Sequence, residues 1–481
     1  IVAEEYISGY NIRLDRLLND QGERLFPEGL SLISHWGLRD ELASHYVTPD
    51  GVVKQRAIQK VMERIVRQEI PAAVVNNPAL LWNPFTNEVR PAEDGTEAPP
   101  EAGEREPDTR YAHLLSYFHA ARRIDPYSPT APTFIARRFE RDRQMTVEEV
   151  EVLLASVLES AEVKDLAQLI TERVGRPLEP FDLWYAGFKS RGTHSEETLN
   201  RIVSERFPSL VAFQAALPGT LETLGFTPER ARWLASHIVV DPARGAGHAL
   251  AAIRREDKTH LRTRVPRGGM SYQGYNVALH ELGHNVEEVF SLNGIDHWWL
   301  SGIPNNGFTE AMAFVFQHRD LELLGLREHG EEAQRIEALG TLWNTYEIAG
   351  VSMVDLRVWQ WMYAHPEATP AELRQAVLAI AREVWNRWFA PVFGVRDSDI
   401  LAIYSHMIVY GLYLPDYAIG HIIAFQVASH LTPATFGAEV ERMTRQGRVT
   451  PDAWMRGAVG GPVSAEPLLA ASREALTAIP A

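Results

Sequence analysis

His280-Glu281-Leu282-Gly283-His284 constrains this chain more than any other stretch. On a helix, two histidines four residues apart project from one face, so both imidazoles can grip one ion. Glu281, beside the first histidine, can then reach a water on that ion. This is the pattern of a zinc hydrolase of the metallopeptidase kind. The flanks support a helix. Val277, Leu279, Leu282, Val286, Val289 and Phe290 recur close to helical period, and no proline interrupts Tyr275 to Phe290. Gly283 costs such a helix about 1 kcal/mol against alanine. A glycine there makes sense if another backbone or a ligand must come close.

A catalytic zinc usually takes three protein ligands and keeps one position open. Glu310 is the candidate third ligand, 26 residues after His284 in Gly307-Phe308-Thr309-Glu310-Ala311. Asn305, Asn306 and Gly307 read as a turn. A second helix is expected beyond it, running through Phe314, Phe316, Leu321 and Leu324 toward Gly325, with Glu310 in its first turn. An isolated glutamate there would simply complement the helix dipole. The upstream histidine pair favours the ligand reading.

Together, HELGH and GFTEA resemble the zinc peptidases whose third ligand is a glutamate on the next helix. The similarity is to the angiotensin-converting-enzyme family and to the thimet oligopeptidase and oligoendopeptidase families. Gly247-His248-Ala249 and the following KTHLRTRV stretch resemble a converting-enzyme segment whose His-Ala pair touches the substrate backbone. The resemblance therefore implies that His248 and Ala249 bind substrate. Tyr417 to Val427 is similar to the helix that carries a tyrosine stabilising the tetrahedral intermediate. That implies a catalytic Tyr417, assisted by His406 eleven residues earlier, with Tyr413 as a second tyrosine in contact with substrate. Pro180 to Tyr185 resembles a PWDxxYY element of the oligopeptidases. The resemblance runs in patches from about residue 180 onward and leaves the first 170 residues unplaced. It departs from the converting enzymes at Phe314. They carry an aspartate at that position, as partner to a zinc-bound histidine. Some other group must serve here.

The rest of the chain bounds the answer. At 481 residues, 45% of them hydrophobic, it can bury a large core in one big domain or two lobes. A net charge of −16 argues against a nucleic-acid role. With no cysteine, disulfides, thiolate ligands and cysteine nucleophiles are excluded. No apolar run is long enough to suggest a membrane span. The absence of cysteine fits cytoplasm or a bacterial envelope compartment alike. The first residue, Ile1, fits a removed signal peptide or a trimmed chain.

Helical signals dominate. Ile58, Val61, Met62, Ile65 and Val66 mark one amphipathic helix. Thr146 with Glu149 forms a capping box. Thr369-Pro370, Thr432-Pro433 and Thr450-Pro451 look like helix starts. Pro91 to Asp108 is acidic and proline-rich and reads as a solvated, flexible loop. Thr259 to Val265 alternates with period two, as a strand does, and in such peptidases a sheet edge near the metal pairs with extended substrate.

The expectation is a mainly α protein: two helical lobes around a deep active-site cleft, with a small β-sheet beside the zinc helix. Residues 1–240 would form the N-terminal lobe and 241–481 the zinc-binding lobe. One Zn2+ per chain would be held by His280, His284 and Glu310, and Glu281 would be the proton acceptor and donor. The function expected is hydrolysis of short peptides, as an oligopeptidase or peptidyl-dipeptidase. The alternative is a catalytically silent peptide-binding protein on a peptidase fold. His297, His318, His329 and His421 are expected to be structural or surface histidines. The sequence gives no oligomeric state.

Overall fold

The computed structural model describes residues 2–33, 35–48, 50–93, 100–188, 194–243, 247–326 and 330–478. It is mainly helical, with only small sheets. One continuous cluster of buried apolar side chains runs from Ile7 to Ala475. The helix Gly51–Arg67 buries the expected face of Ile58, Val61, Met62, Ile65 and Val66.

Seven elements position the site. Strands β1 (Ile238–Pro242), β2 (His248–Leu250) and β3 (Thr259–Thr263) form a sheet in the order β1-β3-β2. β1 runs parallel to β3 with Ile238 opposite Thr259, and β2 runs antiparallel with His248 opposite Arg262. The alternation read from sequence is real: Thr259, Leu261 and Thr263 are buried, while His260 and Arg262 are only partly so. That strand is the middle of the sheet, however, and the edges are β1 and β2. Helix α1 (Tyr272–Gly294) carries the HExxH motif, and α2 (Asn306–Gln317) carries Glu310. Helix α3 (Glu331–Ala364) is 34 residues long, about 50 Å, and is buried along much of its length. Helix α4 (Leu414–His430) carries Tyr417.

Helix α2 is wedged between α1 and α4, and glycines make this possible. A Cβ at Gly283 would lie 2.7 Å from Ala313 Cα and 2.9 Å from Met312 O. On the other side, a Cβ at Gly420 would lie 3.1 Å from Glu310 Cβ and 3.2 Å from Gly307 O. The helix-propensity cost of Gly283 is thus offset by backbone-to-backbone packing.

Several local expectations need correction. Asn305 caps α2 by accepting from Gly307 N at 2.8 Å. The helix therefore begins at Asn306, and Glu310 falls in its second turn. Nor does α2 continue to Leu324. It ends at Gln317, and a separate short helix, Asp320–Leu323, follows. The break occurs where Asp320 turns its carboxylate back on Leu321 N at 2.6 Å and onto α1. Thr146 and Thr369 both close complete capping boxes, and Thr450-Pro451 opens a helix. Thr432-Pro433 does not: it forms a turn, and the helix starts at Phe436 behind Thr435. In the acidic insertion, residues 94–99 lie outside the described residues. Its C-terminal end is not a solvated loop. Glu106 is buried and accepts from Tyr10 Oη at 2.6 Å and Gln68 Nε2 at 2.9 Å. Asp108 is buried between Arg105 at 2.8 Å and Arg374 at 3.1 Å.

Long-range arginine contacts fix the segment leading into α4. Arg67 and Arg382 both bind Asp399, at 2.9 and 2.8 Å. Arg110 Nη2 donates to the carbonyls of Ala402, Ile403 and Tyr404 at 3.0 to 3.2 Å. Arg143 Nε donates to Asp416 at 2.7 Å, with both side chains buried.

Candidate active site

The helical period of α1 places His280 and His284 on one face, and the glycine packing brings α2 against it. Ligand atoms of His280, His284 and Glu310 all lie within 4.8 Å of one another. His280 Nε2 faces Glu310 Oε2 at 3.4 Å. That carboxylate oxygen is buried and has no hydrogen-bond donor. Its partner, Oε1, accepts from Tyr413 Oη at 2.6 Å.

Each imidazole is oriented through its other nitrogen. His280 Nδ1–H donates to Gln317 Oε1 at 3.1 Å, Gln317 Nε2 donates to Asn276 Oδ1 at 2.7 Å, and Asn276 Nδ2 donates to Asp320 Oδ2 at 2.7 Å. His284 Nδ1–H donates to Thr309 Oγ1 at 2.9 Å, which donates to Glu287 Oε2 at 3.1 Å. Each imidazole therefore reaches a carboxylate only through neutral groups. Phe314 leaves the aspartate position empty, and Gln317, one turn further along α2, fills the role for His280. The sequence held a faint signal of this, since Gln317 is seven residues from Glu310 and shares its helix face. Thr309 and Glu287 carried no such signal.

Two imidazoles whose Nε2 atoms are left uncommitted by their Nδ1 hydrogen bonds, plus a carboxylate oxygen lacking a donor, match in residue type the donor set of a catalytic zinc site. His280, His284 and Glu310 would hold such an ion, which would supply Lewis acidity at this point. Burial pushes the His280 pKa down, but Glu310 beside it outweighs burial and raises it. Burial pushes the Glu310 pKa up, but His280 and His284 outweigh it and hold the carboxyl down at about 2. Burial, with His280 beside it, lowers His284 to about 4.

Glu281 is 8% exposed, and burial raises its pKa, while the main-chain N–H of Ala249 donates to the carboxylate and opposes the shift. Edge strand β2 therefore touches the Glu281 side of α1 through Ala249. A Cβ at Gly247 would meet Val277 Cγ1 at 2.7 Å, so the chain passes close over α1 there. His248, by contrast, is exposed on the strand.

Across from α1, Tyr417 Oη lies 3.4 Å from His406 Nε2. The Tyr417 phenol is held far above its ordinary pKa by burial first and then by Glu310. Burial lowers His406 to about 4. Both groups are therefore neutral near pH 7. The structure thus brings His280, Glu281, His284, Glu310, Tyr413, Tyr417, His406 and Ala249 into one region. His421 is packed at 4.6 Å against Phe314, with its pKa lowered to about 3 by burial. His318 pairs with Glu337 at 3.1 Å, His297 is exposed, and His329 lies outside the described residues.

No protein-family model matches the chain, and no curated protein matches it in sequence. Solved structures do match. The chain is similar to PZ peptidase A with an inhibitor at TM-score 0.56 and 15% identity, covering 99% of this chain and 75% of that one. It is similar to a putative peptidase from Chlamydophila abortus at TM-score 0.55 and 12% identity, covering 91% and 75%. It is also similar to a putative oligoendopeptidase F at TM-score 0.54 and 15% identity, covering 92% and 79%. The chain has the mainly α fold of these peptidases. Among the described residues, no helix is long and apolar enough to cross a membrane.

Proposed function

We propose that this protein is a zinc-dependent peptidase that hydrolyses short peptides, with one Zn2+ held by His280, His284 and Glu310. The observation that carries the reading is the gathering of these three donors beside a buried Glu281 on a fold shared with peptidases. When bound, the zinc supplies electrophilic assistance to the scissile carbonyl and makes a water acidic enough to attack near neutral pH.

The chain's own residues supply the rest. Glu281 takes the proton of the attacking water and hands it to the departing amine. Its raised pKa, caused by burial, suits a group that must carry a proton between those steps. Tyr417 remains a phenol, so it can donate to the oxyanion that develops on the carbonyl. His406 is neutral and sits against the Tyr417 hydroxyl, which it orients. Tyr413 donates to Glu310 and fixes that carboxylate. The edge strand His248–Leu250, whose Ala249 N–H holds Glu281, lies along the extended substrate backbone, and the lobes 1–240 and 241–481 border the cleft.

The test is zinc analysis of the purified protein together with cleavage of a quenched peptide library by wild type and Glu281→Gln. One zinc per chain and turnover only in wild type support the reading. Equal turnover by the two proteins removes Glu281 from the mechanism, and absence of zinc removes the metal. Fragment masses give the position of the cut.

A further inference from the structure

The segment His35-Trp36-Gly37-Leu38-Arg39-Asp40 has no role in the chemistry above. Yet the fold builds it into the same site. His35 is fully buried and held at φ 75°, ψ −79°. A non-glycine residue in that conformation costs on the order of 1–3 kcal/mol and persists only where the surroundings enforce it. Here the surroundings are the residues just before His406: the His35 ring lies 4.0 Å from the Tyr404 ring, and its Nδ1 lies 3.5 Å from Ser405 Oγ. The start of the helix Trp36–Ser44 is thereby pinned beside His406. Trp36 meets His406 edge-on at 5.1 Å.

Arg39 is one turn further along. Its guanidinium lies 4.4 Å from the Trp36 ring centroid. Asp40 receives both Arg39 Nε and Nη2 on a single oxygen at 3.4 and 3.2 Å, long for a charged pair. The other Asp40 oxygen accepts from Gln273 Nε2 at 3.2 Å. Gln273 stands two helical turns before His280 on α1. Arg39 is thus placed between the Tyr417–His406 wall and the metal helix. Its side chain keeps 27% of its exposure, and among the described residues its Nη1 has no partner. The charge is felt in the site. Burial dominates the pKa of both His406 and Tyr417, and Arg39 adds a smaller push toward lower pKa at each. Arg138, also near Tyr413 at 6.0 Å, and Arg143 are committed to Asp416.

We propose that Arg39 is the specificity-determining cation of the cleft, and that it takes a carboxylate of the bound peptide. The carboxylate is the free C-terminus or an acidic side chain. Asp40 and Trp36 position the guanidinium without saturating it. The proposal rests on the peptidase reading for the site but is tested by binding rather than turnover.

The experiment uses the zinc-loaded Glu281→Gln protein and three peptides of one neutral sequence with a fluorophore at the N-terminus. One is the free acid, one the C-terminal amide, and one the amide bearing a single glutamate. Anisotropy titrations are expected to show at least about tenfold tighter binding of one carboxylate-bearing peptide than of the neutral amide. Which peptide gains identifies the source of the carboxylate. Adding Arg39→Gln should abolish that preference, and Arg39→Lys should restore part of it. The proposal is overturned if all three peptides bind alike, if the preference survives Arg39→Gln, or if Arg39→Gln weakens all three equally, as a structural role would. An Arg39-dependent preference in a protein whose wild type cleaves nothing keeps the assignment and sinks only the peptidase reading. Absence of any peptide binding sinks both.

Discussion

The metal floor and the wall facing it are built by different rules. On the floor, His280, Glu281 and His284 lie within five residues, and Glu310 sits on the next helix. Helical period and two close-packed glycines are enough to assemble it. The wall draws Trp36, Arg39, His406, Tyr413 and Tyr417 from opposite ends of the chain. It is held by arginines reaching across the fold: Arg67 on Asp399, Arg110 on three carbonyls before His406, and Arg143 on Asp416. Chemistry that needs a fixed donor set is encoded locally. The wall proposed to position substrate is encoded through long-range contacts, where a single lost anchor can move several groups together.

The largest expected effect belongs to the floor. Glu281→Gln should lower peptide turnover by about 10³-fold, in the range for loss of a general base, with zinc content unchanged by elemental analysis. Next is the packing beneath it. Gly283→Val forces a side chain into the Ala313 backbone, and unfolding in denaturant should show a loss of about 3 kcal/mol despite the removal of a helical glycine. A stability equal to wild type would mean that α1 and α2 are not locked together.

The wall should reveal itself through pH. His406 is held at about 4, against 6.5, by burial, with Arg39 pushing the same way. The folded protein thus binds that proton less readily than the unfolded chain. Its contribution is full above pH 6.5 and is lost as pH falls toward 4, by on the order of 3 kcal/mol. His406→Gln should flatten that acid limb in a pH series of unfolding curves. Tyr417→Phe should lower kcat by about 10²-fold with little change in KM. A loss as large as that of Glu281→Gln would erase the distinction between floor and wall. The smallest effect is expected at Gln317. Gln317→Leu should weaken zinc binding by about tenfold in chelator competition, and Gln317→Glu should strengthen it.

How legible each region was follows from the same contrast. HExxH at helical spacing gave α1 and the histidine pair on its one face directly. Glu310 followed from residue type and the turn before it, although Asn305 starts its helix earlier than read. The capping boxes at Thr146 and Thr369 were legible because they are closed within four residues. Tyr417, Tyr413 and His406 came from family resemblance, since no local pattern joins them to His280, His284 and Glu310. Gln317 was missed because an amide in place of a carboxylate follows no metal-site rule. Trp36 and Arg39 were missed because the groups they border come from distant sequence: Trp36 meets His406, and Asp40, which holds Arg39, meets Gln273. The edge strand was misplaced because period-two alternation marks a strand's two faces but not its neighbours.

The missing methyl group at Gly283 also bears on the proposed metal site. With backbone touching backbone at that crossing, the bite between the two ligand-bearing helices has a fixed gauge. In the proposed site, two histidine nitrogens and one carboxylate oxygen suit zinc, whereas calcium prefers more oxygen donors. A crossing that close keeps the helices carrying those donors from drifting apart, so the proposed cradle is stiff before anything enters it.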